Sequence, residues 1–453
     1  MDDDGTITAT SRSHLRHRGA EVERPSWWAL TVVFHPSPEV VGRRLLLVKP
    51  TPCVLGRGDG ALGYAALDDP ELSRRHLEVA ATADGVALKD LASRNGTWMD
   101  GRRISERIAR AGELVTIGCI GLLVHRARRE LVEPKTPMVV ASLAMVELIE
   151  QIHDAATRDR AVLIEGETGV GKELIAREIH AASGRGGAFV ALNCAAVGEG
   201  VLLSELFGHV QGAFSGALHH RRGIVAEADA GTLFLDEIGD ASPALQAALL
   251  RLLEQREYRR LGEDRLHTSS ARVVAATHVG LDEAIEAGRF RRDLHSRLAR
   301  WHVVVPPLRE RHADIVPLAR RVLADLEDPR PLMPDLVEAL HRHHWPANIR
   351  ELAAVIEQAA AESKGEAVGV TRGVRSRLEV SIESSKGNSK SGAQSRSARQ
   401  RPSREELLGS VERAHGNLRQ AAKDLGISRA TLYRWLEPAG VELSELRSNE
   451  DKK

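Results

Sequence analysis

Cysteine is nearly missing from this chain: Cys53, Cys119 and Cys194 are the only three among 453 residues. They are far apart and odd in number, which excludes a disulfide framework and a zinc-ligand spacing. Their scarcity fits a reducing compartment, and the expectation is a cytoplasmic protein. Long hydrophobic runs are also lacking. Apolar stretches such as Ala161 to Ile164 fall far short of the ~20 residues a membrane-spanning helix needs. The start, Met1-Asp-Asp-Asp-Gly5, has none of the basic-then-apolar order of a secretory signal. An excess of one charge is the third absence. Lys plus Arg and Asp plus Glu both total 63, so any attraction to nucleic acid must be local.

At ~100–200 residues per domain, the length predicts about three domains. Residues 1–26 are polar and mixed in charge and are expected to form a flexible tail. Between 27 and 126, short runs such as Ala29–Phe34, Leu45–Val48, His76–Val79, Val86–Lys89, Leu114–Ile117 and Leu122–Val124 are separated by Gly, Pro and Asp. That pattern predicts an all-β sandwich. From about Met138, helical stretches alternate with the apolar runs Val162–Ile164, Leu233–Leu235, Val273–Ala276 and Val303–Val305. Such alternation predicts an α/β core with a parallel sheet, followed by a helical lobe from Asp314 to about Ser363. Residues 364 to 404 carry ten Lys and Arg against three Glu, with many Ser and Gly. A basic linker over 364–402 is expected there. A compact helical pattern resumes over 403–445.

Gly166-Glu-Thr-Gly-Val-Gly-Lys-Glu173 has the glycines of a phosphate-binding loop, in which backbone N–H groups turn inward at a helix N-terminus. Gly166, Glu167, Thr168, Gly169, Val170, Gly171, Lys172 and Glu173 are therefore the candidate nucleotide-binding residues. Lys172 supplies charge for the β- and γ-phosphates of ATP. Downstream, Gly231-Thr-Leu-Phe-Leu-Asp-Glu-Ile238 ends an apolar strand in two acids. Asp236 is the candidate carboxylate on the Mg2+ side, and Glu237 the base that polarises water.

Between these halves lies Gly212-Ala-Phe-Ser-Gly-Ala217, a glycine-rich insertion around one aromatic. Its order closely resembles the signature loop of the bacterial sigma-54-dependent transcription activators, with Ser215 in place of their Thr. The resemblance covers about 139–363. It implies an AAA+ ATPase that works as a ring, expected to be a hexamer, with Gly212, Ala213, Phe214, Ser215, Gly216 and Ala217 contacting sigma-54. It further implies that Arg291 and Arg297, in Phe290-Arg-Arg-Asp-Leu-His-Ser-Arg-Leu298, act across the subunit boundary. Arg350 of Trp345-Pro-Ala-Asn-Ile-Arg350 falls at the lid sensor, Thr277 at the first sensor, and Asn193 at the residue that restrains the catalytic Glu.

Within 27–126, Gly56-Arg57, Ser73-Arg-Arg-His76 and Ser93-Arg-Asn-Gly-Thr97 resemble a forkhead-associated (FHA) domain. That implies phosphothreonine recognition by Arg57, Ser73, Arg74, Arg94 and Asn95, since a phosphate of about −2 charge calls for guanidinium and hydroxyl donors. A Ser/Thr kinase or phosphoprotein partner is then the expected input, and Thr6, Thr8 and Thr10 of the tail are candidate ligands. The stretch Gly416 to Leu436 resembles a Fis-type helix-turn-helix. On that reading Arg429, Thr431, Tyr433 and Arg434 reach DNA upstream of promoters.

The combined expectation is a regulator that hydrolyses ATP to remodel sigma-54 RNA polymerase under phosphothreonine control. The alternative reading is a phosphopeptide-binding, DNA-associated scaffold or a repressor that does not act on sigma-54. The group His341-Arg-His-His344 lacks partner ligands at metal-binding spacing and is expected to be structural.

Overall fold

The computed structural model describes residues 25–378, apart from residues 50, 59–66, 68, 131 and 196–198. All but the last two residues of the expected tail, most of the expected linker, and Arg429, Thr431, Tyr433 and Arg434 of the helix-turn-helix lie outside the described residues.

Ten strands build the first unit: β1 Trp27–Phe34, β2 Arg44–Leu47, β3 Cys53–Leu55, β4 Leu77–Ala81, β5 Val86–Asp90, β6 Thr97–Met99, β7 Arg102–Ile104, β8 Glu106–Ala109, β9 Leu114–Ile117 and β10 Ile120–Ala127. They form a sandwich of two sheets, ordered β2-β1-β10-β9-β6-β7 and β3-β4-β5-β8. Leu30, Val32, Leu77, Leu88, Val115 and Leu122 fill the space between them. A sandwich strand with one wet face alternates apolar and polar residues. Ala29–Phe34 does not alternate, because its second face is covered as well. Val33, Phe34 and Leu123 pack on Ala313, Val316 and Val337 of the helical lobe. Gly121 lies under the Phe34 ring so closely that a Cβ there would stand 2.0 Å from it.

The second unit alternates helix and strand: α1 Leu143–Ala156, β11 Val162–Glu165, α2 Lys172–Ser183, β12 Phe189–Asn193, α3 Glu199–Phe207, α4 Ile224–Glu227, β13 Thr232–Asp236, α5 Pro243–Gln255, β14 Glu257–Tyr258, β15 His267–Thr268, β16 Arg272–Thr277, α6 Leu281–Glu286, α7 Arg292–Leu298 and β17 Trp301–Val304. The five long strands form a parallel sheet ordered β12-β13-β16-β11-β17. Apolar clusters cover both of its faces, as a parallel sheet requires. The strand order departs from sequence order around β11, and ligands of open α/β sheets bind at such a switch, outside the carboxyl ends of the strands. At the opposite edge Arg272 is buried and donates to the carbonyls of Ala155, Ala156 and Arg160. It caps the C-terminus of α1, where carbonyls lack partners. Burial lowers its pKa to about 10.

The lobe contains α8 Ile315–Asp325, α9 Pro334–Arg342 and α10 Asn348–Glu362 around the fully buried Trp345. Packing continues past Ser363. Val368, Val374 and Leu378 are buried in the same cluster, and Leu332 bridges to Val368. The first residues of the expected linker therefore belong to the lobe; the basic composition of the segment masked these few apolar anchors. The histidines before Trp345 are structural in placement: His341 is buried with Nδ1 on the Val337 carbonyl, and His343 pairs with Glu351.

Candidate functional site

The phosphate-binding loop joins the carboxyl end of β11 to α2. Its turn uses backbone that only glycine adopts readily, with φ of 78° at Gly169 and 100° at Gly171. Gly171 is the N-cap of α2, so first-turn N–H groups without intrahelical partners face the loop. Lys172 is buried, and its ammonium donates to the carbonyls of Gly166 and Glu167 at 3.0 and 3.5 Å. The acids that end β13 lie beside it, with Glu237 Oε1 3.7 Å from Lys172 Nζ. Burial, then the neighbouring Glu237, raises the Asp236 pKa against the pull of Lys172. A ready ammonium, exposed N–H groups and paired carboxylates are the donor set that suits a magnesium-bound polyphosphate. Among the described residues, no group of three or more His, Cys, Asp or Glu could hold a metal alone.

The lobe closes this loop from above. Ile349 N donates to the Gly169 carbonyl at 2.9 Å, and the Asn348 amide reaches both Glu167 and the Thr168 carbonyl. Arg309 forms a two-pronged pair with Glu167, which together with the Asn348 bond holds that carboxyl below its usual range. A Cβ on Gly169 would stand 2.3 Å from the Ala347 carbonyl and 3.2 Å from Arg350 Cβ. Arg350 is thus beside the phosphate loop.

Glu237 has left-handed backbone, φ 52°, a conformation that costs a non-glycine residue about 1–2 kcal/mol. Its Oε2 accepts from His278 N at 3.2 Å and lies 2.5 Å from His278 Nδ1. Asn193 pairs in register with Asp236, but its side chain accepts from Ala195 N. Thr277 is buried; its carbonyl accepts from Gly166 N, and its hydroxyl turns to Val279. The residue on the carboxylate of Glu237 is His278, which the sequence reading passed over in favour of Thr277. Its place directly after an apolar strand, level with the acids of β13, was the available signal.

Arg291 pairs with Asp293 and Arg297 with Glu254, both at the surface. Arg297 shares a cavity of about 260 Å³ with Asp159, Arg160, Arg256, Arg272 and Arg300. That cavity opens at the amino ends of β11 and β16, across the sheet from the phosphate loop of the same chain.

The Gly212–Ala217 loop emerges after α3. Gly212 N donates to the Ala217 carbonyl, and Ala217 N to the Phe214 carbonyl. Gly212 and Gly216 have φ of 83° and 103°, and nothing lies within 4 Å of a Cβ built on either. Phe214 is 45% exposed and Leu218 71%. The Phe214 ring meets His209 edge-on, with centroids 5.1 Å apart. The β14–β15 hairpin braces the base: Val210 N donates to Leu261 O and Leu261 N to Gly208 O, while Gly262 approaches Ala213. The sequence reading missed this brace, since two-residue strands carry almost no periodic signal.

In the sandwich, Ser73 Oγ accepts from Arg94 N, and Arg57 N donates to the Ser73 carbonyl. Arg57, Arg74 and Arg94 are exposed around that hydroxyl. Ser93 and Thr97 both donate to Asp90; burial works to raise that carboxyl, and these bonds outweigh it and hold it low. His76 joins Ser73 N to the Gly96 carbonyl, and burial lowers its pKa. Asn95 turns its amide to Glu71. Arg57, Ser73, Arg74, Arg94 and Asn95 all lie at one end of the sandwich.

Four family models match the chain: the Sigma-54 interaction domain over 138–304, the AAA+ ATPase lid domain over 309–389, the FHA domain over 53–118, and the Bacterial regulatory protein, Fis family, over 407–437. The transcriptional regulatory protein ZraR of Klebsiella oxytoca is 41% identical over 322 residues, covering 68% of this chain and 72% of its own length. The chain belongs to the sigma-54-dependent transcriptional regulators.

The anaerobic nitric oxide reductase transcription regulator NorR of Vibrio vulnificus is 49% identical over 230 residues, which span 49% of this chain but only 45% of NorR. A crystal structure of NtrX from Brucella abortus in complex with ATP aligns over 68% of this chain and 70% of its own, at 29% identity and a TM-score of 0.48. Within this sigma-54-dependent regulator the expected fold classes are met: a β-sandwich of FHA type, an AAA+ α/β core, a helical lid, and a Fis-family helix-turn-helix match. No described helix is long and apolar enough to cross a membrane.

Proposed function

We propose that the protein hydrolyses ATP to remodel sigma-54 RNA polymerase at promoters, under control of a phosphothreonine ligand on its FHA domain. The observation that carries the reading is one chain joining a Lys172–Glu237 pair at a phosphate loop to an exposed Phe214 between unencumbered glycines. Mg2+ bound with the nucleotide supplies charge neutralisation of the phosphates, with Asp236 as its protein carboxylate. Backbone N–H groups of Gly169 to Glu173 and the Lys172 ammonium orient the polyphosphate. Glu237, steered by His278, polarises the attacking water. Arg350 reads the nucleotide from the lid, and Asn193 borders the acids from β12.

Arg291 and Arg297 serve a neighbouring copy in a ring, expected to be a hexamer. Support comes from the Arg297 cavity at the amino ends of the sheet strands, opposite the phosphate loop, where it serves a second chain better than its own. The loop Gly212–Ala217 would carry the stroke to sigma-54, with Phe214 as its apolar tip and Ser215 retaining a hydroxyl. DNA is bound through the Fis-family segment, upstream of promoters.

Control by the FHA domain has a physical route. Its sheet sits on the lid through Val33, Phe34 and Leu123, and Arg44 donates to the Ala141 carbonyl. Ala141 and Ser142 donate to the buried Asp314, and the nearby Arg311 donates to the Val170 carbonyl in the phosphate loop. The test is Phe214→Ala. It should hydrolyse ATP at the wild-type rate yet form no open complex with sigma-54 holoenzyme; wild-type open-complex formation would refute the reading and favour a scaffold.

A further inference from the structure

The Gly212–Ala217 loop stands on two arms that are covered unequally. His209 N donates to the Arg221 carbonyl at 3.1 Å and Arg221 N to the His209 carbonyl at 2.9 Å. Gly212 N then closes on the Ala217 carbonyl at 2.9 Å, so the outgoing and returning arms run side by side. The β14–β15 hairpin lies on the outgoing arm: a Cβ on Gly262 would stand 2.7 Å from the Ala213 Cβ and 3.1 Å from the Val210 side chain. The returning arm is open. Leu218, His219 and His220 are all exposed, and at 71% Leu218 is the most exposed large hydrophobic among the described residues.

A single exposed leucine is ordinary on a protein surface. This one is distinguished by its place. Its N–H donates to the Gly216 carbonyl at 2.9 Å, which ties it to the turn that carries Phe214. The Phe214 ring is itself partly sheltered, edge-on to His209. The loop therefore offers a partner one half-covered aromatic and one open leucine. Gly212 and Gly216 leave the tip free to swing, whereas Leu218 lies just past the bond that closes the loop. A tip joined to its client at one point pivots there; a second apolar contact near the base opposes the pivoting, so that a push is transmitted.

We propose that Leu218 is a second apolar contact with sigma-54 holoenzyme, at the base of the loop whose tip is Phe214. The proposal rests on the sigma-54 reading above and extends that contact beyond residues 212–217, onto the open arm.

The test uses the full chain with Leu218→Ser, Leu218→Asp and the conservative Leu218→Met. Two quantities are read: affinity for fluorescently labelled sigma-54 holoenzyme with a non-hydrolysable ATP analogue, and open complexes formed per ATP hydrolysed. Leu218→Ser should weaken holoenzyme binding by about 10-fold, the worth of burying much of a leucine, and lower the yield per ATP. Leu218→Asp should lose more, and Leu218→Met should stay near wild type. The side chain is exposed, so none of these changes removes packing that the fold needs. Wild-type affinity and yield in Leu218→Asp, with both lost in Phe214→Ala, overturns the assignment and leaves the loop reading standing. Loss of self-association in Leu218→Asp, measured by sedimentation, would place the side chain against a second copy and overturn it too. Wild-type affinity and yield in Phe214→Ala overturns the loop reading and this one together.

Discussion

Glu237 sits in a strained backbone conformation, between the Lys172 ammonium and the His278 imidazole. A side chain held at two points presents one carboxylate geometry to water, which a general base requires. Glu237→Gln is expected to keep nucleotide binding and to lose about 100-fold or more in turnover, read by ATPase assay beside equilibrium nucleotide binding. His278→Ala should lower kcat by about 10-fold with little change in nucleotide affinity, because it frees the base without touching the phosphate loop. A loss confined to affinity would contradict that role. The glycines, Lys172, Asp236 and Glu237 were legible in the sequence because a phosphate loop and an acid-tipped strand each compress their chemistry into a few adjacent residues. His278 was not, since its contact with Glu237 joins neighbouring strand ends more than 40 residues apart.

Among the elements, the meeting of lid and phosphate loop makes the sharpest demand on sequence. Gly169 has positive φ and the Ala347 carbonyl beside it, so an added methyl meets both backbone strain and a collision. Gly169→Ala should push α10 away from the loop and weaken nucleotide binding by more than about 10-fold, since strain alone costs roughly 1–2 kcal/mol. Unchanged affinity, measured by calorimetry, would show that the lid does not clasp the loop. The strands β11, β13, β16 and β17 and the helical lobe were readable because apolar runs and 3.6-residue periodicity persist over many positions, whereas the half-exposed edge strand β12 was not. Short elements escaped: β7, the β14–β15 hairpin, and the lid residues Val368, Val374 and Leu378, set in a polar, basic context. Ala29–Phe34 was readable as a strand, yet its apolar run, interrupted only by Thr31, also announced a second buried face, which only the contact with Val316 and Val337 explains.

Across the whole molecule, the sandwich and the lid each bury a histidine whose charging opposes folding. Burial lowers His125 and His341 to about 4. The unfolded chain protonates such imidazoles near pH 6.5, so stability is full above that pH and falls as pH drops toward 4. Each site should cost about 2 kcal/mol by pH 5. Thermal midpoints should therefore fall between pH 7 and pH 5, and less so in His341→Gln; a midpoint insensitive to that substitution would contradict the account. The domain order was legible from motif order alone, but the seat of the FHA sheet on the lid was not, because no local pattern encodes which surfaces of two domains meet. On the proposed function, that seat is the route by which a phosphothreonine ligand would act on ATP hydrolysis. The most direct test of the central claim is open-complex formation on duplex promoter DNA by sigma-54 holoenzyme, with the full-length protein, ATP and Mg2+, titrated with a phosphothreonine peptide. The account predicts open complexes that require hydrolysable ATP and the Phe214 loop, at a level that changes with the peptide. Holoenzyme that stays closed at every peptide concentration, while ATP is hydrolysed, would contradict it.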